Sequence, residues 1–179
     1  MVAIQGPRSL DLLDELDLSS LKIKNRFQGI YENEVLAVKT GYTGEKGFEV
    51  ILPNEKLELI WEKTLNAGVR PVGLASRDTL RLEAGMNLYG FEMDDSVSPM
   101  ECNMAWTISL QDESRDFIGK DALLEKIEED NYDELVGIVL DERMILRQGQ
   151  KLYLDENKKI EGVVTSGTYS PSLKKPIAL

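Results

Sequence analysis

The sequence predicts an α+β protein that ends in a small all-β segment. Short apolar runs bounded by glycine or proline alternate with stretches of helical periodicity in the first part of the chain. Only β-like runs follow residue 134. With 179 residues, 42% hydrophobic and 30% charged, the chain has a globular composition and can bury a sizeable core.

The first 70 residues show the order strand, helix, strand, strand, helix. MVAI is an apolar strand, RSLDLLDEL carries a helical leucine stripe, and residues 35–39 and FEVILP are further strands. LKIKNRF is compatible with a strand or a short helix. Asn54 is expected to cap a helix that Gly68 closes, with Trp61 in the core. This order suits a sheet with helices on one face.

Helical and β-like stretches also follow one another in the rest of the chain. VGLASRDTLRLEAG predicts a helix that ends at Gly85, AWTISL predicts a strand, and DALLEKIEED predicts an amphipathic helix. ELVGIVL, QKLYL and KIEGVVTSGTY are β-like, and DENKK is the expected hairpin turn. Boundaries near Pro71 and within 112–119 divide the chain into domains at 1–70, 71–117 and 118–179.

Charge and residue usage exclude several classes of function. The net charge of −11 argues against nucleic acid as a partner, and the acidic run between residues 112 and 142 is typical of a solvated helix face. No apolar run is long enough for a membrane span, and no signal peptide is visible. The single cysteine, Cys102, fits a reducing compartment. Without histidine, the chain has no Ser-His-Asp or Cys-His mechanism, and no metal site is predicted.

Glu49 is an unexpected carboxylate within the apolar arm FEVIL, which follows a glycine-marked loop. Strand alternation places Phe48 and Val50 on one face and Glu49 and Ile51 on the other. Two interpretations remain open. Glu49 is either a solvent-facing residue of an antiparallel sheet or a carboxylate held rigidly as a hydrogen-bond acceptor.

Three further side chains are candidates for a ligand site. Arg77 lies in the first turn of its helix, where the helix dipole disfavours a cation, so it serves either a ligand or an interdomain salt bridge. Trp106 either stacks on a planar ligand or fills the core. Tyr42 lies on the glycine loop and could close over a ligand. Cys102 has no activating neighbour in sequence, and GYTGEKG lacks the order of a phosphate loop.

Five segments together resemble the glycine cleavage system T-protein family, the aminomethyltransferases. They are TGYTGEKGFEVILP, GLASRDTLRLEAGMNLYGFEMD, SPMECNMAWTI, RDFIGKDAL and VTSGTYSPSL. They occur in the order of that family and spread across most of the chain. The resemblance implies ferredoxin-like layers of mixed sheet and helices plus a small C-terminal β-barrel-like unit, truncated relative to the three-domain family fold.

The resemblance also implies an activity. Family members take the aminomethyl group from the lipoyl arm of the H-protein, pass its carbon to tetrahydrofolate, and release ammonia. By similarity, Glu49 would accept two hydrogen bonds from the pterin edge, Tyr42 would lie against the folate, Arg77 would donate to the ligand or orient its acceptors, and Trp106 would flank the channel.

The departures from the family imply an incomplete protein. The family's longer N-terminal portion carries an aspartate near the folate N5 atom, and no position here matches it. A further ligand-contacting arginine of the family follows the point where this chain stops. We therefore expect no catalytic residue in this chain, no activity of the chain alone, exposed apolar patches, and self-association through open strand edges.

Two other readings are compatible with the sequence. One is the folate-binding domain of a dimethylglycine or sarcosine dehydrogenase-like enzyme. The other is a noncatalytic module whose acidic surface docks a partner protein. The expected localisation is cytoplasmic in a bacterium and the mitochondrial matrix in a eukaryote.

Overall fold

The computed structural model describes residues 1–16, 25–112, 114–142, 144–153 and 160–179. It divides into two compact units, Met1–Ala84 and Gly85–Leu179. The DENKK turn and most of LKIKNRF lie outside the described residues. The division at 1–70, 71–117 and 118–179 stays a prediction.

The first unit contains a four-stranded sheet, and its helices lie between and after the strands. In chain order, the elements are strand β1 (Val2–Gln5), a 3-10 helix (Ser9–Asp11), helix α1 (Leu12–Glu15), strands β2 (Gly29–Glu32), β3 (Val35–Val38) and β4 (Gly47–Ile51), and helices α2 (Asn54–Asn66) and α3 (Leu74–Glu83). The sheet order is β1-β4-β3-β2, so β1 and β2 are its outer strands.

The predicted alternation of β4 is confirmed, and it gives the sheet two different faces. Phe48 and Val50 are fully buried in the core, whose buried members are Val2, Ile4, Leu16, Ala37, Phe48 and Val50. Every second residue points away from that core. We call this side the open face, defined by Ala3, Gln5, Val38, Glu49 and Ile51. Ala3 and Val38 pair with Glu49 from β1 and β3.

Two predictions for α2 are wrong. Asn54 is the first helical residue, while Pro53 occupies the cap position without a side-chain hydrogen bond. Trp61 is not a core residue, because 44% of it is exposed. The predicted ends of both long helices are confirmed, since Gly68 and Gly85 follow α2 and α3 with φ of 81° and 65°. Glycine adopts this left-handed conformation without a steric cost.

The second unit combines one helix with small sheets. Its elements are a 3-10 helix (Ala105–Thr107), helix α4 (Lys120–Glu129), and strands β5 (Ile138–Val139), β6 (Lys151–Tyr153), β7 (Ile160–Val163), β8 (Gly167–Ser170) and β9 (Lys175–Ala178). The strand predicted at AWTISL is wrong, because a 3-10 helix begins there. Leu146, Val164 and Ala178 form the buried centre of the β part.

The α+β class is confirmed, with a difference in sheet type. The family resemblance implied a mixed sheet, whereas each pairing between the named strands is antiparallel. In the described part of the second unit, β5-β9-β8 and β6-β7 form separate sheets, and these do not close into a barrel. Among the described residues, no helix is both long and apolar enough to cross a bilayer.

Candidate functional site

Glu49 lies in the middle of β4, on the open face. Its neighbours across the strands are Ala3 and Val38, so apolar residues flank the carboxylate on both sides. The side chain is 20% exposed. A carboxylate at a central strand position has little backbone freedom, and its apolar neighbours leave it dependent on a donor from elsewhere.

Arg77 supplies that donor from the first turns of α3. Its Nη2 donates to Glu49 Oε1 at 3.4 Å, and the arginine side chain is 32% exposed. This distance exceeds the usual range for such hydrogen bonds, so the pair is loose. Within the described residues, no group donates a hydrogen bond to Glu49 Oε2. The carboxylate therefore has acceptor capacity left for a ligand.

Tyr42 completes a cluster with these two residues. The Arg77 Cζ atom lies 5.2 Å from the centroid of the Tyr42 ring, which is the range of a cation–π contact. The structure thus brings together three of the four predicted site residues. One side chain comes from a loop, one from a strand and one from a helix, and all three belong to the first unit.

The loop that carries Tyr42 is held by Gln5, which no pattern in the sequence marks as a site residue. Gln5 Nε2 donates to the carbonyl oxygen of Thr40 at 3.1 Å. Gln5 Oε1 accepts from Thr43 Oγ1 at 3.3 Å, and Thr43 is buried. The sequence signal was the run of glycines, because Cβ atoms built at Gly41 and Gly47 collide with the Gln5 side chain.

Gly44 brings the same loop against the end of α3. Its φ of 76° is left-handed, and a Cβ built there lies 2.9 Å from the Ala84 Cβ. Real Cβ atoms do not approach so closely. Glycine is therefore required at this position for two independent reasons, backbone conformation and contact.

Trp106 belongs to the second unit, on the 3-10 helix Ala105–Thr107, and 72% of it is exposed. The core alternative for this residue is therefore wrong. Cys102 is buried four residues earlier, where burial raises the pKa of its thiol. A thiol with a raised pKa is a poor nucleophile, which agrees with the expectation that Cys102 is inert.

Glu101 and Lys126 form a partly buried ion pair in the second unit, at 2.9 Å. The backbone N–H of Ser98 also donates to Glu101, at 2.9 Å. The hydrogen bond from Lys126 is the main cause that lowers the pKa of Glu101 to about 2, although burial acts in the opposite direction. The pair joins α4 to the segment around Cys102, which indicates a structural role. In the described part of the chain, no three acidic, cysteine or histidine side chains gather as a metal site would require.

The Tyr42–Arg77–Glu49 cluster has the chemistry of a recognition site for a planar, polar molecule. A fixed carboxylate can accept two parallel N–H groups from the edge of a heterocycle. The arginine contacts that carboxylate from one side, and the tyrosine adds an aromatic surface. None of the three is a nucleophile activated by an adjacent base, so the chemistry of the cluster suits binding and orienting a ligand.

Comparisons with known proteins identify the family. The model of the GCVT N-terminal domain matches residues 1–112. The chain belongs to the glycine cleavage T-protein family. The model of the glycine cleavage T-protein C-terminal barrel domain matches residues 134–179. The T-protein family uses tetrahydrofolate.

The relatives of this T-protein family chain include bacterial aminomethyltransferases. The chain is 46% identical over 186 residues to the aminomethyltransferase of Alcanivorax borkumensis, a match that covers 100% of the chain and 50% of that relative. It is 45% identical over 187 residues to that of Xanthomonas axonopodis pv. citri, covering 99% and 50%. The crystal structure of glycine cleavage system aminomethyltransferase T from Bartonella henselae matches with a TM-score of 0.83 at 33% identity, over 94% of this chain and 47% of that one.

The chain therefore spans about half the length of the curated relatives that it matches.

Proposed function

We propose that this chain supplies the pterin-binding part of a tetrahydrofolate-dependent aminomethyltransferase. The observation that carries the proposal is the position of Glu49. It is a half-buried carboxylate on a central strand, with one oxygen near Arg77 and the other free of protein donors in the described residues. The pterin ring presents an amino group and an adjacent ring N–H on one edge. These two donors match the two carboxylate oxygens.

Arg77 and Tyr42 assist this recognition. Because Arg77 contacts Glu49 on one oxygen, it holds the carboxylate turned toward the open face. Tyr42 stacks on the guanidinium, and this limits the rotation of both side chains. The geometry favours a role for Arg77 in orienting the acceptor. Tyr42 offers the ring against which the folate lies.

Trp106 is proposed to flank the folate channel. Its indole is 72% exposed and is therefore accessible to a planar partner. Since Trp106 belongs to the second unit, a test of this role has to be independent of the Glu49 cluster. The emission maximum of Trp106 in a Trp61→Phe variant should shift to shorter wavelength on addition of tetrahydrofolate. An unchanged maximum at saturating ligand contradicts this role.

The proposed overall reaction involves the lipoylated H-protein as partner. The carbon–sulfur bond of the aminomethyl-lipoyl group breaks, and the lipoyl sulfur regains a proton. The carbon–nitrogen bond of the aminomethyl group also breaks, and the carbon joins N5 and N10 of tetrahydrofolate to give 5,10-methylenetetrahydrofolate. The two protons displaced from N5 and N10 go to the lipoyl sulfur and to the leaving ammonia. The residues present here would bind and orient folate. The aspartate that the resemblance places near N5 has no counterpart in this sequence, so we expect the 179-residue chain alone to give background turnover.

The decisive experiment measures tetrahydrofolate affinity by isothermal titration under anaerobic conditions. Glu49→Gln keeps the size of the side chain and replaces one acceptor oxygen by a donor. Loss of a charge-assisted pair of hydrogen bonds should weaken binding by about 10- to 100-fold. Glu45→Gln is the matched control, because Glu45 is exposed on the loop that precedes β4. Equal affinities of Glu49→Gln and the unmodified chain would overturn the proposal, as would the absence of binding by the unmodified chain.

Turnover is tested separately, with aminomethyl-loaded H-protein and tetrahydrofolate as substrates. Formation of 5,10-methylenetetrahydrofolate above background by the 179-residue chain would contradict the expected inactivity. Such turnover would not bear on the role of Glu49, which the binding experiment tests.

A further inference from the structure

We infer that Gln5 is a positioning residue for the Tyr42–Arg77–Glu49 cluster. It sets where the Tyr42 ring lies, and through that ring it sets the guanidinium that contacts Glu49. This inference rests on the proposed function for its link to folate, while its structural part stands on contacts within the first unit.

Gln5 is the last residue of β1, and it lies on the open face together with Glu49. It pairs across the sheet with Gly47. Because Gly47 has no side chain, the Gln5 amide can fold over β4 toward the loop at 40–46. A Cβ at Gly47 would meet the Gln5 amide group at 2.5 Å. The pairing of a glutamine with a glycine therefore makes the space that the amide occupies.

The two ends of the Gln5 amide hold two points of the loop on either side of Tyr42. The Nε2 group donates to the carbonyl oxygen of Thr40, and Oε1 accepts from Thr43 Oγ1. Thr43 Oγ1 in turn accepts from the backbone N–H of Glu45 at 3.4 Å. Gly41 lies against the same amide, with no room for a Cβ. Residues 40–45 are thus tied to β1 by one side chain.

Tyr42 transmits this constraint to the site. It is flanked by Gly41 and Thr43, both of which touch Gln5, so its backbone cannot shift without breaking one of these contacts. Its ring lies 5.2 Å from Arg77 Cζ, and Arg77 contacts Glu49. If the Tyr42 ring were displaced, the Arg77 guanidinium would lose its contact with the ring. It could then move away from the Glu49 carboxylate.

Gln5→Met tests the inference, because methionine keeps the volume of glutamine and loses both hydrogen bonds. The Tyr42 ring current should shift the Arg77 side-chain NMR resonances upfield, and these resonances are assigned by their absence in Arg77→Lys. We expect Gln5→Met to abolish at least about half of that shift and to weaken tetrahydrofolate binding about tenfold, as small misplacements in a site do. Gln111→Met, at an exposed glutamine, is the matched control and should change neither.

Thr43 provides an independent arm in case Gln5→Met does not fold. Thr43→Val removes the hydroxyl that Gln5 accepts from, whereas Thr43→Ser keeps it. The valine variant should lose the ring-current shift of the Arg77 side-chain resonances, as Gln5→Met does. The serine variant should retain that shift. Unchanged Arg77 resonances in folded Gln5→Met or in Thr43→Val would overturn the inference. If the unmodified chain does not bind tetrahydrofolate, the proposed function fails, and the resonances still decide the role of Gln5.

Discussion

Arg77 Nη2 lies 3.4 Å from Glu49 Oε1, although the two residues are 28 positions apart in sequence. The pair connects α3 to β4, and both side chains are partly exposed. Solvent-accessible ion pairs of this length contribute little to folding. We therefore expect the contact to orient the carboxylate more than to stabilise the fold.

Replacement of Arg77 by methionine should separate these two effects. We expect the free energy of unfolding to change by less than about 1 kcal/mol, because the pair is loose and accessible to water. Tetrahydrofolate affinity should fall about tenfold, since Glu49 loses the group that orients it. Urea unfolding and isothermal titration measure the two quantities. Arg70→Met is the control at an exposed arginine, and a large stability loss with intact affinity in Arg77→Met would contradict the expectation.

Gly44→Ala should destabilise the first unit by about 1–3 kcal/mol, through left-handed strain and the contact with Ala84. Thermal unfolding measures the loss. Adding Ala84→Gly to Gly44→Ala should recover the part of the lost stability that is due to the contact between the two Cβ atoms. Gly137→Ala is the control, because that glycine has open space around it and no left-handed φ. Equal midpoints for Gly44→Ala and Gly137→Ala would show that the loop does not press on α3.

Phe48→Ala should cost about 3–5 kcal/mol of unfolding free energy, because Phe48 is fully buried in the core of the first unit. A loss of that size is comparable to the stability of a small unit, so the variant should be largely unfolded at moderate urea concentration. Phe91→Ala removes a half-exposed ring and should cost less than about 1 kcal/mol. Similar urea midpoints for the two variants would contradict the assigned core.

The Glu101–Lys126 pair should make the second unit sensitive to acid. Since the folded-state pKa of Glu101 is lowered from 4.5 to about 2, chiefly by the hydrogen bond from Lys126, its stabilisation is present above pH 4.5 and is lost as pH falls toward 2. Lys126→Met should be less stable by about 1–2 kcal/mol at pH 7, allowing for solvent screening, and indistinguishable near pH 2.

Urea unfolding at several pH values measures this difference. Glu125→Gln, on the exposed side of α4, should keep the unmodified pH dependence. A stability deficit of Lys126→Met that stays constant from pH 7 to pH 2 would exclude the ion pair as its cause.

Self-association stays a prediction and has a simple measurement. β1 and β2 are the outer strands of the first sheet, and unpaired strand edges can pair with another chain. The net charge of −11 opposes association, so added salt should increase it. Light scattering after gel filtration at low and high salt reports the mass. A monomer under both conditions contradicts the prediction.

The sequence predicted those strands and helices whose signals lie within a few neighbouring residues. The period of two in FEVIL correctly placed Glu49 and Phe48 on different faces of the sheet. Glycines marked the ends of α2 and α3. The β2–β3 hairpin was missed because Asn33 and Glu34 adopt left-handed φ values of 51° and 65° without a glycine. Helical periodicity identified an apolar side of α2 but could not show that Trp61 on this helix stays partly exposed. AWTISL was too short to distinguish a strand from a helical turn.

The candidate site was harder to predict from the sequence than the helices and strands were. Glu49 and Arg77 stood out because each is locally out of place, one in an apolar strand and the other near a helix N-terminus. Gln5 gave no such signal, since its role depends on contacts with Thr40 and Thr43, 35 and 38 residues away. Only the closely spaced glycines of the loop hinted at a side chain packed beneath them.

The burial of Cys102 has a practical use. At 3% exposure and with a raised thiol pKa, the native sulfur should resist maleimide reagents under mild conditions. A cysteine introduced at the fully exposed Ile118 could then carry a fluorophore or spin label without prior removal of the natural thiol. Distance measurements between this probe and a second label would test whether the chain rearranges when it meets other proteins.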